Sequence, residues 1–109
     1  MSEPQLPDPI GHFVESVNRG DTESFLGFFL RDGVVDDSGR RFEGHDAIRR
    51  WSDREFIGAK GRITVKSVEQ TKNAVSVRAD WASNYFTGPS RFLLVLKGRK
   101  IQEMRIKAE

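Results

Sequence analysis

The segment GVVDDSGRRFEGHDAIRRW, residues 33–51, organises the rest of this 109-residue chain. Two short strands joined by a turn at Ser38–Gly39 predict a β-hairpin. A helix follows, and Ile48, Trp51 and Phe56 fall on one side of it. Hairpin and helix together place an acidic pair, a turn and a buried aromatic residue within nineteen residues of chain.

Two amphipathic helices are predicted before this segment. The first begins at the N-cap Asp8 and ends at Gly20. The second begins at its cap Asp21 and ends near Gly33. Residues 1–7 are rich in proline and are expected to form a flexible tail. The apolar stripes that should face the core comprise Ile10, Phe13, Val14 and Val17 in the first helix and Phe25, Phe28, Phe29 and Leu30 in the second.

After Gly61 the hydrophobic pattern changes to a period of two, which predicts strands. The predicted strands are 62–70, 74–86, 90–97 and 100–107. Their links are short and turn-like, so neighbouring strands should pair antiparallel as a meander. Strand parity places Trp81 and Tyr85 on one face, toward the helices.

These elements predict an α+β fold in one domain spanning residues 1–109. Three N-terminal helices should pack on the concave face of a strongly bent, mostly antiparallel sheet, which gives the domain the shape of a cone.

Composition excludes several classes of function. Eighteen Lys and Arg against sixteen Asp and Glu leave a net charge of only +2, so nucleic-acid binding is not expected. No apolar run reaches membrane-spanning length, and we expect a cytoplasmic protein. The chain has no cysteine and only two histidines, His12 and His45. A metal site is therefore not predicted. The sequence also has no Gly-rich phosphate loop, Ser nucleophile elbow or zinc motif, so we expect cofactor-free chemistry or binding.

The strand at 90–97 has apolar residues on both faces. Phe92 and Leu94 alternate there with Leu93 and Val95. A strand that is apolar on both sides needs a second cover. Because the helices cover one face only, we expect a homodimer that buries Leu93 and Val95 on the outer face of the sheet.

The runs HFVESVNRGD and DGVVDDSGRRFEGHDAIRRW resemble the nuclear transport factor 2-like superfamily, particularly its SnoaL-like and ketosteroid-isomerase-like branches. The resemblance covers about Asp8 to Ile106. It implies the cone fold, but the superfamily includes isomerases, cyclases, hydrolases, dehydratases and proteins without catalytic activity, so it does not fix an activity.

In ketosteroid-isomerase-like members an Asp just after the first strand is the general base, and Asp37 has a similar position. That family also supplies two hydrogen-bond donors to the developing oxyanion. The matching positions here hold Phe13 and Phe92, which cannot donate. Losing one such donor typically costs about 3 kcal/mol. The resemblance therefore argues against steroid isomerisation by that mechanism.

Asp37 is the candidate base, and His45 is a second candidate for proton transfer. Asp36 and Asp37 are adjacent, so strand parity turns them to opposite faces and they cannot act as a pair. The alternative is that both carboxylates only initiate the turn. For His45 the alternative is an exposed or capping role at the start of the third helix.

The pocket of the cone is expected to be lined by aromatic and aliphatic side chains, with Trp51, Trp81 and Tyr85 as the main contacts. The complete set of predicted ligand-binding residues is Phe13, Val17, Phe28, Val35, Trp51, Phe56, Trp81, Tyr85, Phe92, Leu94 and Met104. In the alternative interpretation, the aromatic residues simply fill the cone.

We therefore predict that the chain binds a small, mostly apolar organic molecule, with cofactor-free acid/base chemistry of an isomerase, cyclase or hydrolase type. The rival hypothesis is a non-catalytic dimeric module that binds another protein. An open or a filled cone distinguishes the two.

Overall fold

The computed structural model describes residues 5–109 as three helices and six strands. Residues 1–4, part of the predicted flexible tail, lie outside the described residues. Leu6 is partly buried against the core. In chain order the elements are α1 (Ile10–Asn18), α2 (Thr22–Gly27), β1 (Phe29–Asp37), β2 (Arg40–Glu43), α3 (Gly44–Glu55), β3 (Arg62–Gln70), β4 (Ala74–Ala82), β5 (Gly88–Lys97) and β6 (Lys100–Ala108).

The six strands form one sheet in the order β2-β1-β6-β5-β4-β3. Strands β3 to β6 pair antiparallel with their neighbours, as the predicted meander requires. The pairing of β1 with β6 is parallel and joins the N-terminal hairpin to the meander. All three helices contact strands of this sheet. The predicted α+β cone with a mostly antiparallel sheet is confirmed.

The hairpin of β1 and β2 turns at Ser38 and Gly39, which both have positive φ, 53° and 96°. Such angles at both central residues suit a two-residue turn between twisted strands. Asp36 stabilises the turn, because its Oδ1 accepts the Gly39 N–H at 2.8 Å. The turn places Asp37 directly opposite Arg40.

The helix caps differ from one another. Asp21 caps α2 as predicted and accepts the Ser24 N–H at 3.1 Å. The predicted cap at Asp8 is wrong, because α1 begins one residue later than expected and has no side-chain cap. The Asp8 carboxylate instead lies 3.6 Å from Nε2 of His12 on the exposed side of α1.

The second helix is shorter than predicted. It ends at Gly27, and Phe29 begins strand β1 opposite Ile101 of β6. Three closely spaced phenylalanines suit a helix stripe locally, but the parallel pairing with β6 places the third of them in the sheet. The backbone N–H of Ile101 also donates to the carbonyl of Phe28 at 2.8 Å.

Strand β4 is also shorter than predicted and ends at Ala82. The hydroxyl oxygen of Ser83 accepts the N–H groups of Tyr85 at 3.1 Å and Phe86 at 2.9 Å. This local network ends the strand and forms a loop, so Tyr85 does not share a strand face with Trp81. Among residues 5–109, no helix is long and apolar enough to cross a membrane.

Candidate functional site

A cavity of about 390 Å³ lies between α3 and the concave face of the sheet. Strands β1, β5 and β6 contribute the residues of its floor, and the 83–87 loop lies at its rim. The residues that line the cavity are Asp37, Ser38, Arg40, Trp51, Glu55, Phe56, Trp81, Tyr85, Phe86, Ser90, Phe92, Ile106 and Ala108.

Cross-strand pairing explains which side chains meet on the floor. One row runs from Asp37 through Ile106 to Phe92, on β1, β6 and β5. Directly opposed residues of neighbouring strands point to the same face. The row therefore places the candidate base beside two apolar side chains.

The next row toward the mouth consists of small residues. Ala108, Ser90 and Ala79 are opposite one another on β6, β5 and β4. Because none of these side chains is larger than a serine, the floor is lower here than in the first row. This difference in side-chain volume leaves room for the cavity.

Stacked aromatic rings form one wall. The ring centroids of Trp51 and Phe56 are 4.7 Å apart, and those of Phe56 and Trp81 are 4.4 Å apart. Phe92 meets Trp81 edge-on at 6.1 Å. Gly61 makes this stack possible, since a Cβ there would lie 1.9 Å from Cη2 of Trp81. The wall is rigid and apolar.

The opposite wall carries three charged side chains. The guanidinium of Arg40 donates to Oδ2 of Asp37 at 2.7 Å and to both carboxylate oxygens of Glu55, at 3.0 Å to Oε2. The indole N–H of Trp51 also donates to Oδ2 of Asp37, at 3.1 Å. Asp37 and Glu55 are 20% and 12% exposed, whereas Arg40 is half exposed. One guanidinium therefore bridges two largely buried carboxylates.

These contacts determine the charge states. The hydrogen bonds from Arg40 lower the pKa of Glu55, although burial opposes them, and the nearby Tyr85 hydroxyl makes a smaller contribution in the same direction. The bidentate contact with Glu55 in turn raises the pKa of Arg40, with Asp37 adding to the effect. Arg40 and Glu55 are therefore both charged at neutral pH.

The two carboxylates differ in the freedom of their oxygens. Both oxygens of Glu55 accept hydrogen bonds from Arg40. In Asp37 only Oδ2 is engaged, and within residues 5–109 no hydrogen bond reaches Oδ1. A carboxylate that is oriented through one oxygen and free at the other can take a proton from a bound molecule.

Some of the predicted site residues line the cavity, and the others lie elsewhere in the core. Lining the cavity are Asp37, Trp51, Phe56, Trp81, Tyr85 and Phe92, with Tyr85 coming from the loop instead of a strand. The others pack in or against the core outside this cavity, namely Phe13, Val17, Phe28, Val35, Leu94 and Met104. Of these, Phe13 and Leu94 border a second gap that is too small for a water molecule.

His45 lies away from the cavity. Its Nε2 is 3.2 Å from the carbonyl oxygen of Phe29, a contact between the start of α3 and the start of β1. The contact gives this side chain a structural role. His45 does not cap α3 and is partly buried, so neither the expected capping role nor exposure describes it, and its role in proton transfer stays a prediction.

Several residues of the cavity were not predicted. Arg40 could have been found, since a two-residue turn places it opposite Asp37. Glu55 follows Trp51 by four residues, one helical turn, and therefore shares its side of α3. Ser90 precedes Phe92 by two residues and shares its face of β5. The other unpredicted lining residues are Ser38, Phe86, Ile106 and Ala108.

Solved structures similar to this chain have the same fold. A candidate polyketide cyclase from Sinorhizobium meliloti has 22% sequence identity and a TM-score of 0.82, with 94% of this chain and 95% of that chain covered. A protein with a ketosteroid isomerase-like fold from Catenulispora acidiphila, in complex with trimethylamine, has 16% identity and a TM-score of 0.82, covering 96% and 88%. At these identities the likeness shows the fold alone.

A third similar structure is an epoxide hydrolase/cyclase-like enzyme of pyran ring formation in the polyether salinomycin. It has 18% identity and a TM-score of 0.81, with 92% of this chain and 87% of that chain covered. No curated protein matches the chain. Residues 10–104 match the family of SnoaL-like domains. The chain therefore belongs to the SnoaL-like domain family and has the α+β cone of nuclear transport factor 2-like proteins.

Proposed function

We propose that the cavity binds a small, mostly apolar organic molecule and that Asp37 acts on it as a cofactor-free general acid/base. The observation that carries this proposal is the free Oδ1 of a fixed carboxylate beside a cavity of about 390 Å³ with an aromatic wall. Cavities of about 300–1,000 Å³ with apolar walls and few polar groups are typical of small-molecule sites.

Binding is driven by the aromatic wall. Trp51, Phe56 and Trp81 are almost fully buried and form a continuous stack. A planar apolar ligand gains contact area against this wall without reorganising it, because the rings are already fixed by one another. Tyr85 and Phe86, which are 61% and 45% exposed, extend the aromatic surface to the rim.

The chemistry depends on Asp37. Arg40 and Trp51 fix the position of Oδ2, so the carboxylate needs no reorganisation when Oδ1 accepts a proton. The proton could come from carbon beside a carbonyl or from a water molecule that attacks the ligand. The two Phe residues at the oxyanion positions of ketosteroid isomerases separate here: Phe92 borders the cavity and Phe13 does not.

The similar structures support chemistry on small organic molecules. Two of them are described as a candidate polyketide cyclase and as an epoxide hydrolase/cyclase-like enzyme. Another holds trimethylamine, and a computationally designed steroid binder has the same fold with a TM-score of 0.81. The open cavity favours this function over the rival hypothesis of a non-catalytic module, which is expected to have a filled cone.

Deuterium exchange tests the role of Asp37. The probe is α-tetralone in heavy water, in which loss of the proton signal beside the carbonyl is followed by NMR. The wild type should accelerate exchange, and Asp37→Asn should reduce that acceleration by about a hundredfold or more. The matched control is Asp36→Asn, which removes a carboxylate of the same hairpin and should leave exchange unchanged.

Full exchange activity in Asp37→Asn would exclude this residue as the base. If the wild type does not accelerate exchange, hydrolysis of styrene oxide by the same variants provides the second reaction class. Failure of both reactions would leave only the binding part of the proposal.

A homodimer through the outer face of the sheet is part of the same proposal. Leu93 and Val95 are only partly buried within one chain. Their cross-strand neighbours are polar or small, with Arg105 and Ser76 opposite Leu93 and Glu103 opposite Val95. An apolar centre with a polar border is typical of an interface.

The solution mass tests this expectation. The wild type should have the mass of two chains, and Leu93→Glu/Val95→Glu should have the mass of one. Thr64→Glu on the edge strand β3 is the control and should stay dimeric. A monomeric wild type would contradict the proposed dimer and would leave the cavity proposal intact.

A further inference from the structure

We infer that Ser90 determines ligand specificity by donating a hydrogen bond to an oxygen acceptor, so that the cavity selects a compact bicyclic ketone over the matching hydrocarbon. This inference rests on the proposed binding of an apolar molecule in the same cavity. It adds the chemical class of the ligand and the residue that recognises its oxygen.

Ser90 is the only fully buried polar side chain of the cavity within the described residues. It is 3% exposed, and its hydroxyl donates to the carbonyl of Gly88 at 3.4 Å. A hydrogen bond between a hydroxyl and an oxygen is usually roughly 2.5–3.0 Å long, so this contact is a weak one. A hydroxyl proton rotates freely, so a better acceptor in the cavity can replace this weak contact at little cost.

The donors that surround Asp37 are engaged. The Trp51 indole N–H donates to Asp37. Both terminal nitrogens of Arg40 donate to carboxylates. A ligand oxygen that takes a proton from either group has to break a charge-assisted hydrogen bond, which is about twice as strong as a neutral one. The hydroxyls of Tyr85 and Ser38 also line the cavity, but both residues are exposed at its rim. Among the buried donors of the cavity, Ser90 is therefore the one that a neutral oxygen acceptor can use most readily.

The position of Ser90 fits a ligand of limited length. Asp37 and Phe92 lie in one cross-strand row, with β6 between them, and Ser90 lies two residues from Phe92. Strand spacing and rise place the Cα atoms of Asp37 and Ser90 roughly 12 Å apart. Both side chains point to the concave face of the sheet, so their polar ends have about the same separation. Two fused six-membered rings fit between them.

The small residues beside Ser90 leave room for such a ring system. Ala79 and Ala108 are its cross-strand partners. A carbonyl group can therefore approach the Ser90 hydroxyl over two methyl groups, while the ring lies against Phe56 and Trp81. In this orientation the proton beside the carbonyl lies at the Ser90 end, so its exchange at Asp37 takes place in the reversed orientation of the ketone.

The experiment compares α-tetralone with tetralin, which has the same two rings and lacks the oxygen. Affinities are measured by quenching of the fluorescence of Trp51 and Trp81. The wild type should bind α-tetralone about threefold to tenfold more tightly than tetralin, the usual gain from one neutral hydrogen bond. Ser90→Ala should abolish that preference and leave the affinity for tetralin unchanged.

Two further variants isolate the hydroxyl. Ser90→Thr retains it and should keep the preference for the ketone, even if the added methyl weakens both ligands. Ser76→Ala removes a hydroxyl from the outer face of β4 and should change neither affinity. Alanine already occupies both cross-strand positions next to Ser90, so Ser90→Ala is expected to fold, and thermal unfolding checks this.

A wild-type preference that persists in Ser90→Ala would overturn the role of Ser90. Equal wild-type affinities for the two probes would overturn the ketone specificity while supporting the proposed apolar site. Binding of neither probe would overturn both the specificity and the proposed binding function.

Discussion

The indole N–H of Trp51 donates to Oδ2 of Asp37 over 3.1 Å and thereby connects α3 to the end of β1. Trp51 is 1% exposed, so this hydrogen bond lies at the boundary between the buried aromatic stack and the charged wall. The same contact stabilises the hairpin and fixes the candidate base. Folding and chemistry therefore depend on one donor at this position.

Replacing Trp51 by Phe should separate these roles. The variant keeps an aromatic ring in the stack but leaves Asp37 without its indole donor. We expect the free energy of unfolding to fall by about 1.5–3 kcal/mol because a hydrogen bond to a charged group is lost. The smaller ring should lower it further. Trp81→Phe is the matched control, because it also shrinks a stacked indole. Equal losses of unfolding free energy in urea would show that the hydrogen bond contributes nothing.

Gly61 should tolerate no side chain. A Cβ at this position would lie 1.9 Å from Cη2 of Trp81 and 2.8 Å from the carbonyl oxygen of Phe56. Gly61→Ala should therefore displace the Trp81 ring and destabilise the fold by about 1–3 kcal/mol. The readouts are the tryptophan emission maximum and the midpoint of thermal unfolding.

Gly27→Ala is the control for this prediction. Apart from its two chain neighbours and the backbone of its own helix, no atom of residues 5–109 lies within 4 Å of a Cβ at Gly27, which is at the end of α2. Alanine is the better helix former, so this variant should be as stable as the wild type or slightly more stable. If both alanine variants retain the wild-type emission maximum and midpoint, the tight contact with Trp81 does not constrain the stack.

Local sequence patterns predict most of the fold because turn residues and the alternation along each strand agree with the strand pairing that the structure shows. Turn residues separate the strands of the meander, and alternation along β1 turns Asp36 and Asp37 to opposite faces. In the structure Asp37 lines the cavity and Asp36 accepts a hydrogen bond in the turn. The patterns fail where a long-range partner decides. Phe29 has the spacing of a helix stripe. Its backbone nevertheless pairs with Ile101 of β6, far away in the sequence, in a parallel ladder.

The charged wall was missed for a related reason. Arg40 and Glu55 belong to a hairpin and a helix that each carry many charges, and charged residues in such elements are usually solvated. Only the packing of α3 on the hairpin brings the two side chains together. The local signals of these two residues are their positions, opposite Asp37 in the hairpin and one helical turn after Trp51, and such positions do not reveal an ion pair between two elements. The aromatic residues of the wall are recognisable from their size and parity.

The pair of Arg40 and Glu55 should make stability dependent on pH. Arg40 lowers the pKa of Glu55 in the folded protein. The stabilisation is therefore fully present above the unfolded pKa of about 4.3 and is lost as pH falls through the lower folded pKa. Glu55→Gln should be less stable than the wild type at neutral pH, and the difference should shrink progressively below about pH 4.

Urea unfolding of wild type and Glu55→Gln across this acidic range measures the effect. Glu69→Gln removes an exposed carboxylate from β3 and is the control. The unfolding free energy of Glu69→Gln should differ less from that of the wild type than the unfolding free energy of Glu55→Gln does. A difference for Glu55→Gln that stays constant down to about pH 3 would contradict the assigned cause of the pKa shift.

Removing Arg40 alone should lower the free energy of unfolding more than removing both Arg40 and Glu55. In Arg40→Met the carboxylate of Glu55 stays largely buried without its bidentate donor, and burial then raises its pKa. An unpaired, partly buried charge is more costly than an absent one. The double variant Arg40→Met/Glu55→Gln should therefore be more stable than Arg40→Met alone at neutral pH. Arg40→Lys keeps the charge but not the planar fork and should lie between Arg40→Met and the wild type.

The pH dependence distinguishes this explanation from a simple loss of packing. Acid protonates Glu55 more readily in Arg40→Met than in the wild type, so the stability of Arg40→Met should approach that of the double variant as pH falls. A double-mutant cycle from urea unfolding at neutral and at acidic pH gives the coupling energy directly. If that coupling is zero at neutral pH, the contact between Arg40 and Glu55 makes no contribution to stability, and only the hydrogen bonds of Arg40 and Trp51 to Asp37 remain as the structural role of this wall.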